Sequence, residues 1–164
     1  MTANATLKAR ELLSSLGIDD PAQTSVEDLI IYHDGIVREI PLNNCDGRMV
    51  MKNGRSIVSL NSEIEFPQKK RFVLAHELGH IILHGDKEAT FSDDYSTLEA
   101  YKHGVQEKEA NDFATELLMP TDLFQKACFK QKFGAELIRN LSDRFNTSLT
   151  STVYRYVEES ASIC

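Results

Sequence analysis

Residues 72–84 read FVLAHELGHIILH, an apolar stretch with helical spacing that contains the pattern His-Glu-x-x-His. On an α-helix, residues four apart lie on one face, so His76 and His80 can direct a ring nitrogen to one cation. Burying two histidines and a glutamate among apolar side chains is costly unless something compensates their burial. The stretch therefore predicts a helix that holds one zinc ion per chain. The alternative is a buried helix whose two histidines are hydrogen-bonded core residues.

Glu77 follows the first of the two histidines and projects to one side of the face that carries them. Zinc lowers the pKa of a bound water from about 16 to about 7, which makes a hydroxide nucleophile available at neutral pH. A carboxylate beside that water can accept its proton and return it to a leaving amine. We therefore predict that Glu77 is the catalytic base of a zinc hydrolase.

A catalytic zinc site needs a third protein ligand, and a second helical pattern at 105–119 supplies candidates. Glu107 belongs to the stripe of this helix that faces the core, and therefore the first helix. Glu109 is rotated about 200° from Glu107 and is expected to point to solvent. We predict Glu107 as the third ligand, with Glu109, His103 and Glu99 as alternatives.

Four further polar residues are candidates for supporting roles around the metal. Asn111, one turn after Glu107, is placed to hydrogen-bond a ligand and orient it. His84 follows His80 by four residues, but three histidines over two turns span about 12 Å, too far for one tetrahedral ion. We expect His84 to be a helix-end or cleft residue. Tyr101 and His103 are either donors to the reaction's oxyanion or plain loop residues.

The rest of the N-terminal part predicts helices and a small sheet. A helix ends before Gly17, and a short helix is capped by Ser25. A strand at 35–40 is followed by a hairpin around Asn53-Gly54, a dipeptide that favours tight two-residue turns. The hairpin either completes the sheet or offers its free edge to an extended peptide above the metal. The polar stretch 86–96 predicts a loop that forms a wall or lid of the cleft.

Composition is typical of one globular domain, and we assign residues 1–164 to it. Residues 1–122 carry the N-terminal helices, the sheet and the zinc-site helices, and 123–164 form a C-terminal helical segment. The net charge is −7, so only a local basic patch could attract nucleic acid or an anionic membrane. Three cysteines, the absence of a long apolar run and an N-terminus unlike a signal peptide predict a cytoplasmic protein.

The C-terminal segment has the outline of a helix-turn-helix, with two helices at 137–156 joined near Asn146. DNA binding would require Ser151, Thr152 and Arg155 to face a groove. Acidic neighbours and the negative net charge disfavour this, because phosphate contacts need local positive charge. We expect this segment to pack on the peptidase or to contact its substrate.

Together, HELGH at 76–80 and the pattern ExEANxFAxxLLMP at 107–120 resemble the ImmA/IrrE family of bacterial and phage metallopeptidases. The resemblance covers roughly residues 25–157. It implies an α+β, minimal zincin-like fold in which a small antiparallel sheet packs on the zinc helix. It also implies His76, His80 and Glu107 as metal ligands and Glu77 as the base.

The resemblance implies a substrate class as well. Family members of known role cut helix-turn-helix transcriptional repressors and so release mobile-element or stress-response genes. The expected function is therefore zinc-dependent cleavage of such a repressor, with any regulator on another protein or in the polar loop. Two alternatives remain: a zinc-containing regulator that binds a repressor without cutting it, and a DNA-binding regulator.

Overall fold

A computed structural model describes the backbone of residues 1–85 and 97–163, and the side chains of residues 1–85 and 104–160. The predicted loop at 86–96 lies outside the described residues. The described part is an α+β fold, as predicted, and its elements in chain order are α1 Ala3–Ser15, α2 Val26–Tyr32, β1 Gly35–Ile40, β2 Gly47–Lys52, β3 Arg55–Asn61, α3 Pro67–His84, α4 Thr97–Leu118, α5 Thr121–Cys128, α6 Ala135–Phe145 and α7 Leu149–Ile163.

Local signals in the sequence set several of these boundaries. Gly17 follows α1 with φ +64°, and the Ser25 hydroxyl accepts a hydrogen bond from the Asp28 amide to cap α2. Asn53 and Gly54 both have positive φ and connect β2 to β3, which confirms the hairpin. The predicted start of the second site helix was wrong, since α4 begins at Thr97 rather than near Val105. A helix continues by adding one hydrogen bond per residue, so it can extend beyond its apolar pattern.

The sheet has the strand order β1-β3-β2 and is mixed rather than antiparallel. β2 pairs antiparallel with β3, whereas β1 pairs parallel with it. The antiparallel prediction was wrong for β1 because the chain crosses the end of β3 before it enters β2. The buried Asn61 side chain holds the crossing segment between β1 and β2 in place. Its oxygen accepts a hydrogen bond from the amide of Leu42, and its nitrogen donates to the carbonyls of Leu42 and Cys45.

α3 lies at the centre of the fold, between the inner face of the sheet and α4. Ala75 and Leu78 of α3 are fully buried with Val58 of the sheet and Phe113 of α4. At Gly79 the two helices come close, because a Cβ placed there would lie 3.1 Å from the Ala110 Cα. Two small residues at one crossing thus bring the backbones of α3 and α4 together within the His-Glu-x-x-His segment.

A buried ion network joins the C-terminal helices to the rest. Glu116 of α4 is fully buried, and its two oxygens accept hydrogen bonds from Arg10 of α1 and Arg155 of α7, each at 2.8 Å. Arg155 also donates to the Met119 carbonyl and is itself fully buried, as is Thr152. Two of the three side chains required for reading a DNA groove therefore lie inside the protein.

No helix in the described part of the chain is long and apolar enough to cross a lipid bilayer.

Replacing Glu116 with Gln should lower the free energy of unfolding by about 1–3 kcal/mol, because it removes the nearest carboxylate of buried Arg155, which keeps only Glu159 at 3.0 Å and Glu158 at 3.6 Å. Urea unfolding followed by circular dichroism would measure the loss. Glu11→Gln is the matched control, since Glu11 forms only an exposed pair with Lys8 and should change stability by less than about 0.5 kcal/mol. Equal stabilities for the two variants would contradict this role of Glu116.

Candidate metal centre

Three of the predicted ligands converge where α3 and α4 face each other. The two oxygens of Glu107 lie 3.2 Å from His76 Nε2 and 3.2 Å from His80 Nε2, and the two Nε2 atoms lie 3.1 Å apart. One ligand atom from each residue lies within 4.8 Å of the others. The helix pair thus forms a compact donor set of two imidazole nitrogens and one carboxylate.

The donor set fits a zinc ion in both spacing and chemistry. Two ligand atoms that are each about 2.0–2.1 Å from a tetrahedral zinc lie about 3.3 Å from each other. The observed separations of 3.1 and 3.2 Å are close to that value. Two histidines and one carboxylate form a ligand set used by catalytic zinc sites, where a fourth position stays open for water or substrate.

Asn111 fixes how His76 presents its ring. Its side-chain oxygen lies 3.0 Å from His76 Nδ1 and accepts a hydrogen bond from it. This bond holds a proton on Nδ1, so that a cation bound between His76, His80 and Glu107 would meet the lone pair of Nε2. Asn111 is one turn after Glu107 on α4, so the same helix supplies a candidate ligand and the group that orients another.

Electrostatics couples the three side chains. Burial lowers the pKa of His76, but the hydrogen bond that His76 donates to Glu107 and the negative charges nearby outweigh it, so this pKa lies above its ordinary value. Hydrogen bonds from His76 and His80 hold the pKa of Glu107 far below the ordinary range of a carboxyl group. Glu107 is therefore ionised at neutral pH and available to a cation.

Glu77 is buried, with 6% of its surface exposed, next to the donor set. Burial raises its pKa, and the neighbouring histidines only partly offset the increase. Together with His76 it lines a cleft of about 290 Å³ whose other walls are Asp46, Gly47, Lys69, Phe72 and Val73. A basic oxygen thus lies at a cleft large enough to admit part of a peptide.

Gly47, the first residue of β2, was not recognised as a site residue from sequence. A Cβ at this position would lie 2.5 Å from Val73 and 2.8 Å from the Glu77 carboxylate oxygen, so a larger residue would displace both side chains. A glycine inside a strand pattern can indicate such a close approach, and that signal was present. Gly47 lets the edge of the sheet reach the cleft.

The remaining candidate residues occupy other positions. His84 lies at the end of α3, with its ring centre 5.6 Å from that of His80 and its Nε2 3.5 Å from a Glu109 oxygen. The prediction that Glu109 points to solvent was wrong. The periodicity of α4 describes the faces of that helix alone and does not show that His84, at the end of α3, lies close to Glu109. Among the described residues, the candidate metal group consists of His76, His80 and Glu107. The side chains of Glu99, Tyr101 and His103 lie outside the described residues.

Comparison with known proteins adds an independent finding. Residues 32–156 match the Peptidase M78 family, described as the IrrE N-terminal-like domain. The chain is similar to the radiation response metalloprotease IrrE of Deinococcus deserti, with 31% identity over 164 residues, 98% of this chain and 57% of the relative. It is also similar to the protein of the same name from Deinococcus radiodurans, with 31% identity over 107 residues, 63% of this chain and 31% of that one.

The match therefore covers little more than half of one of these relatives and less than a third of the other. Among solved structures, a Mycobacterium tuberculosis transcriptional regulator superposes with a TM-score of 0.68, covering 94% of this chain and 46% of the regulator. Its sequence is 15% identical, so this likeness concerns the fold alone.

Glu107→Gln should weaken zinc affinity by more than about 100-fold, because it removes the anionic ligand and keeps its shape. Asn111→Ala should cost about 10- to 100-fold, the usual effect of losing a group that orients a ligand. Competition with a chromophoric chelator at one pH would measure both. Glu109→Gln is the control and should bind zinc like the parent. Loss of zinc in Glu109→Gln but not in Glu107→Gln would show that the ligand assignment is wrong.

Glu77→Gln should make the metal-free protein more stable at neutral pH. The folded protein raises the pKa of Glu77, so it holds this proton more tightly than the unfolded chain does. Stability therefore falls as pH rises through the unfolded value toward the folded one, and the amide removes that loss. Urea unfolding with a chelator at pH 7.5 should show the gain, and at pH 4 the difference should shrink. If the variant is no more stable than the parent at pH 7.5, burial of the ionised Glu77 carboxylate does not destabilise the folded protein.

Proposed function

The chain belongs to the ImmA/IrrE family, as a Peptidase M78 protein with an IrrE N-terminal-like domain, and from this we propose that it is a zinc-dependent endopeptidase. It would hydrolyse a peptide bond in a protein substrate. The observation that carries the proposal is the convergence of His76, His80 and Glu107 beside the buried carboxylate of Glu77. We assign one zinc ion per chain to this donor set.

When bound, zinc supplies Lewis-acid chemistry, which acidifies water and stabilises negative charge on a carbonyl oxygen. The protein's own groups move the proton. A Glu77 oxygen accepts it from the attacking water and returns it to the nitrogen of the leaving amine. The raised pKa suits this exchange, because a carboxylate with a pKa nearer neutrality holds a transferred proton better than an exposed one.

The free edge of β2 is the proposed guide for the substrate backbone. In the described sheet β2 is an edge strand, and its first residue, Gly47, lines the same cleft as Glu77. An extended peptide added to this edge would pair its backbone with β2 and run past the cleft. Phe72 and Val73 of α3 form an apolar wall there for the side chains of the peptide.

We place the substrate among helix-turn-helix transcriptional repressors, cut in the cytoplasm to relieve repression of phage, mobile-element or stress-response genes. Two lines of support are the family resemblance and the name of the Deinococcus relatives, which are radiation response metalloproteases.

Cells that express the parent should contain new protein N-termini that are absent from cells expressing Glu77→Gln. Loss of the base should slow cleavage by about 10²- to 10⁴-fold while leaving zinc binding intact. Mass spectrometry of labelled N-termini would identify the cut protein and the bond. Purified, zinc-loaded protein should then cut the same protein at the same bond.

Comparing the N-termini from cells that express the parent and from cells that express Glu77→Gln also distinguishes a peptidase from a regulator that does not cut. A zinc-containing regulator that binds without cutting would produce the same N-termini in the parent and in Glu77→Gln. Identical sets, together with an intact biological effect of the variant, would replace the peptidase with that regulator.

A further inference from the structure

The outer face of the sheet, turned away from α3, carries a pattern that the peptidase site does not use. Side chains alternate between the two faces of a strand, so the buried Val58 and Leu60 define the inner face. Their neighbours on the strands lie on the other side. We call this side the outer sheet face, and its exposed members are Ile36, Arg38, Arg48, Val50, Lys52 and Arg55, with Ile57 partly buried among them.

Strand register arranges these side chains in rows that run across the sheet. Ile36, Ile57 and Val50 pair side by side and form an apolar row. Ile36 is 52% exposed and Val50 is 45% exposed, so this row is open to solvent. Large apolar side chains grouped in this way differ from scattered surface residues and indicate an interaction surface.

A cationic row lies on each side of the apolar row. Arg38 and Arg48 flank Ser59 in one row, and Lys52 pairs directly with Arg55 in the other. Of the strand residues on this face, all of them described, four are cationic and none is acidic. Like charges placed opposite each other are unfavourable in a sheet, and this protein has a net charge of −7.

These four cations have no carboxylate partner among the described residues, in contrast to cations nearby. On the other side of the sheet, Lys70 pairs with Glu39 at 2.7 Å and Lys69 pairs with Asp46 at 2.8 Å. Two acids beside the strands, Glu39 and Asp46, are thus engaged by α3, whereas Asp34, directly before β1, is exposed and is paired with neither α3 nor the four cations among the described residues. The outer sheet face is left as a local positive surface on an acidic protein.

The dimensions of the rows identify the kind of partner. Rows two residues apart are about 7 Å apart along the strands, and three strands span about 10 Å between their axes. A helix is about 10 Å wide, so one lying along the apolar row would place its flanks over the two cationic rows. Duplex DNA would satisfy the cations but not the apolar row, and the strand residues of this face include no aromatic side chain on which bases could stack.

We propose that the outer sheet face binds an amphipathic helix of a partner protein, whose apolar stripe lies on Ile36, Ile57 and Val50 and whose flanking acids pair with Arg38, Arg48, Lys52 and Arg55. The face is separated from the metal centre by the sheet and α3. Its partner is therefore a regulator or a second contact of the substrate, and not the segment being cut. The inference does not depend on hydrolysis or on bound metal.

The test measures binding of a synthetic helical peptide by fluorescence anisotropy. The probe is a labelled peptide of about 14 residues, long enough to cross three strands, with a leucine stripe flanked on both sides by glutamates. The Glu77→Gln background prevents cleavage of the probe. A matched peptide with glutamine in place of glutamate should bind at least about tenfold more weakly, because the charge pairs are lost.

Two variants of the protein assign the surface. The double variant Arg48→Glu, Lys52→Glu should bind the glutamate peptide at least about tenfold more weakly than the parent does. Val50→Ser should also bind it more weakly. Lys132→Glu combined with Arg139→Glu is the control, because it makes the same change in net charge at exposed positions of the C-terminal part and should leave binding unchanged. Circular dichroism would verify that all variants are folded.

Three outcomes would overturn the proposal. One is a glutamate peptide that binds the Arg48/Lys52 double variant as tightly as the parent. Another is equal binding of the glutamate and glutamine peptides. The third is tight binding of a duplex of about 20 base pairs that the double variant loses and Val50→Ser retains, which would make the face a nucleic-acid contact.

Discussion

The contact of α3 with α4 at Gly79 is the constraint on which the candidate metal centre depends. Because Gly79 has no side chain, the two helix backbones approach until Ala110 lies against it. That approach places Glu107, three residues before Ala110, within 3.2 Å of two histidines on either side of Gly79 in sequence. A larger residue at either position would separate the helices and the donor atoms together. The spacing of the metal ligands is thus a property of helix packing.

Several charged groups are buried in a protein of modest size, and they serve different ends. Buried Glu116 pairs with buried Arg155 and with the half-exposed Arg10, and these contacts join α1, α4 and α7. Glu77, in contrast, has a raised pKa and lies against Gly47 at the cleft. A buried carboxylate with little compensation is unfavourable for folding and useful for chemistry, whereas a fully paired one is structural. The difference in pairing distinguishes the reactive carboxylate from the architectural one.

Much of the fold could be predicted because its signals are local. The apolar run at 72–84 indicates α3, Asn53-Gly54 indicates the hairpin, and the stripe on α4 brings Glu107 toward the first helix. What could not be predicted depends on contacts between distant segments. The parallel pairing of β1 follows from the loop crossing at Asn61, and the burial of Arg155 follows from Glu116 on another helix. The cationic rows of the sheet depend on strand register, which the sequence does not state.

The ion network at Glu116 also has a consequence for the order of folding. Its two arginine partners are 106 and 39 residues away in sequence, so their contacts close long loops and belong to the late, slow part of assembly. During synthesis His76, His80 and Glu107 all emerge before Arg155 does. A growing chain can therefore present its metal donors while Glu116, already within reach of Arg10, still lacks its second partner, Arg155 of α7. The three metal donors are therefore all synthesised before the Arg155–Glu116 contact can form. A cation that binds early would meet its ligands before α7 has packed on α4.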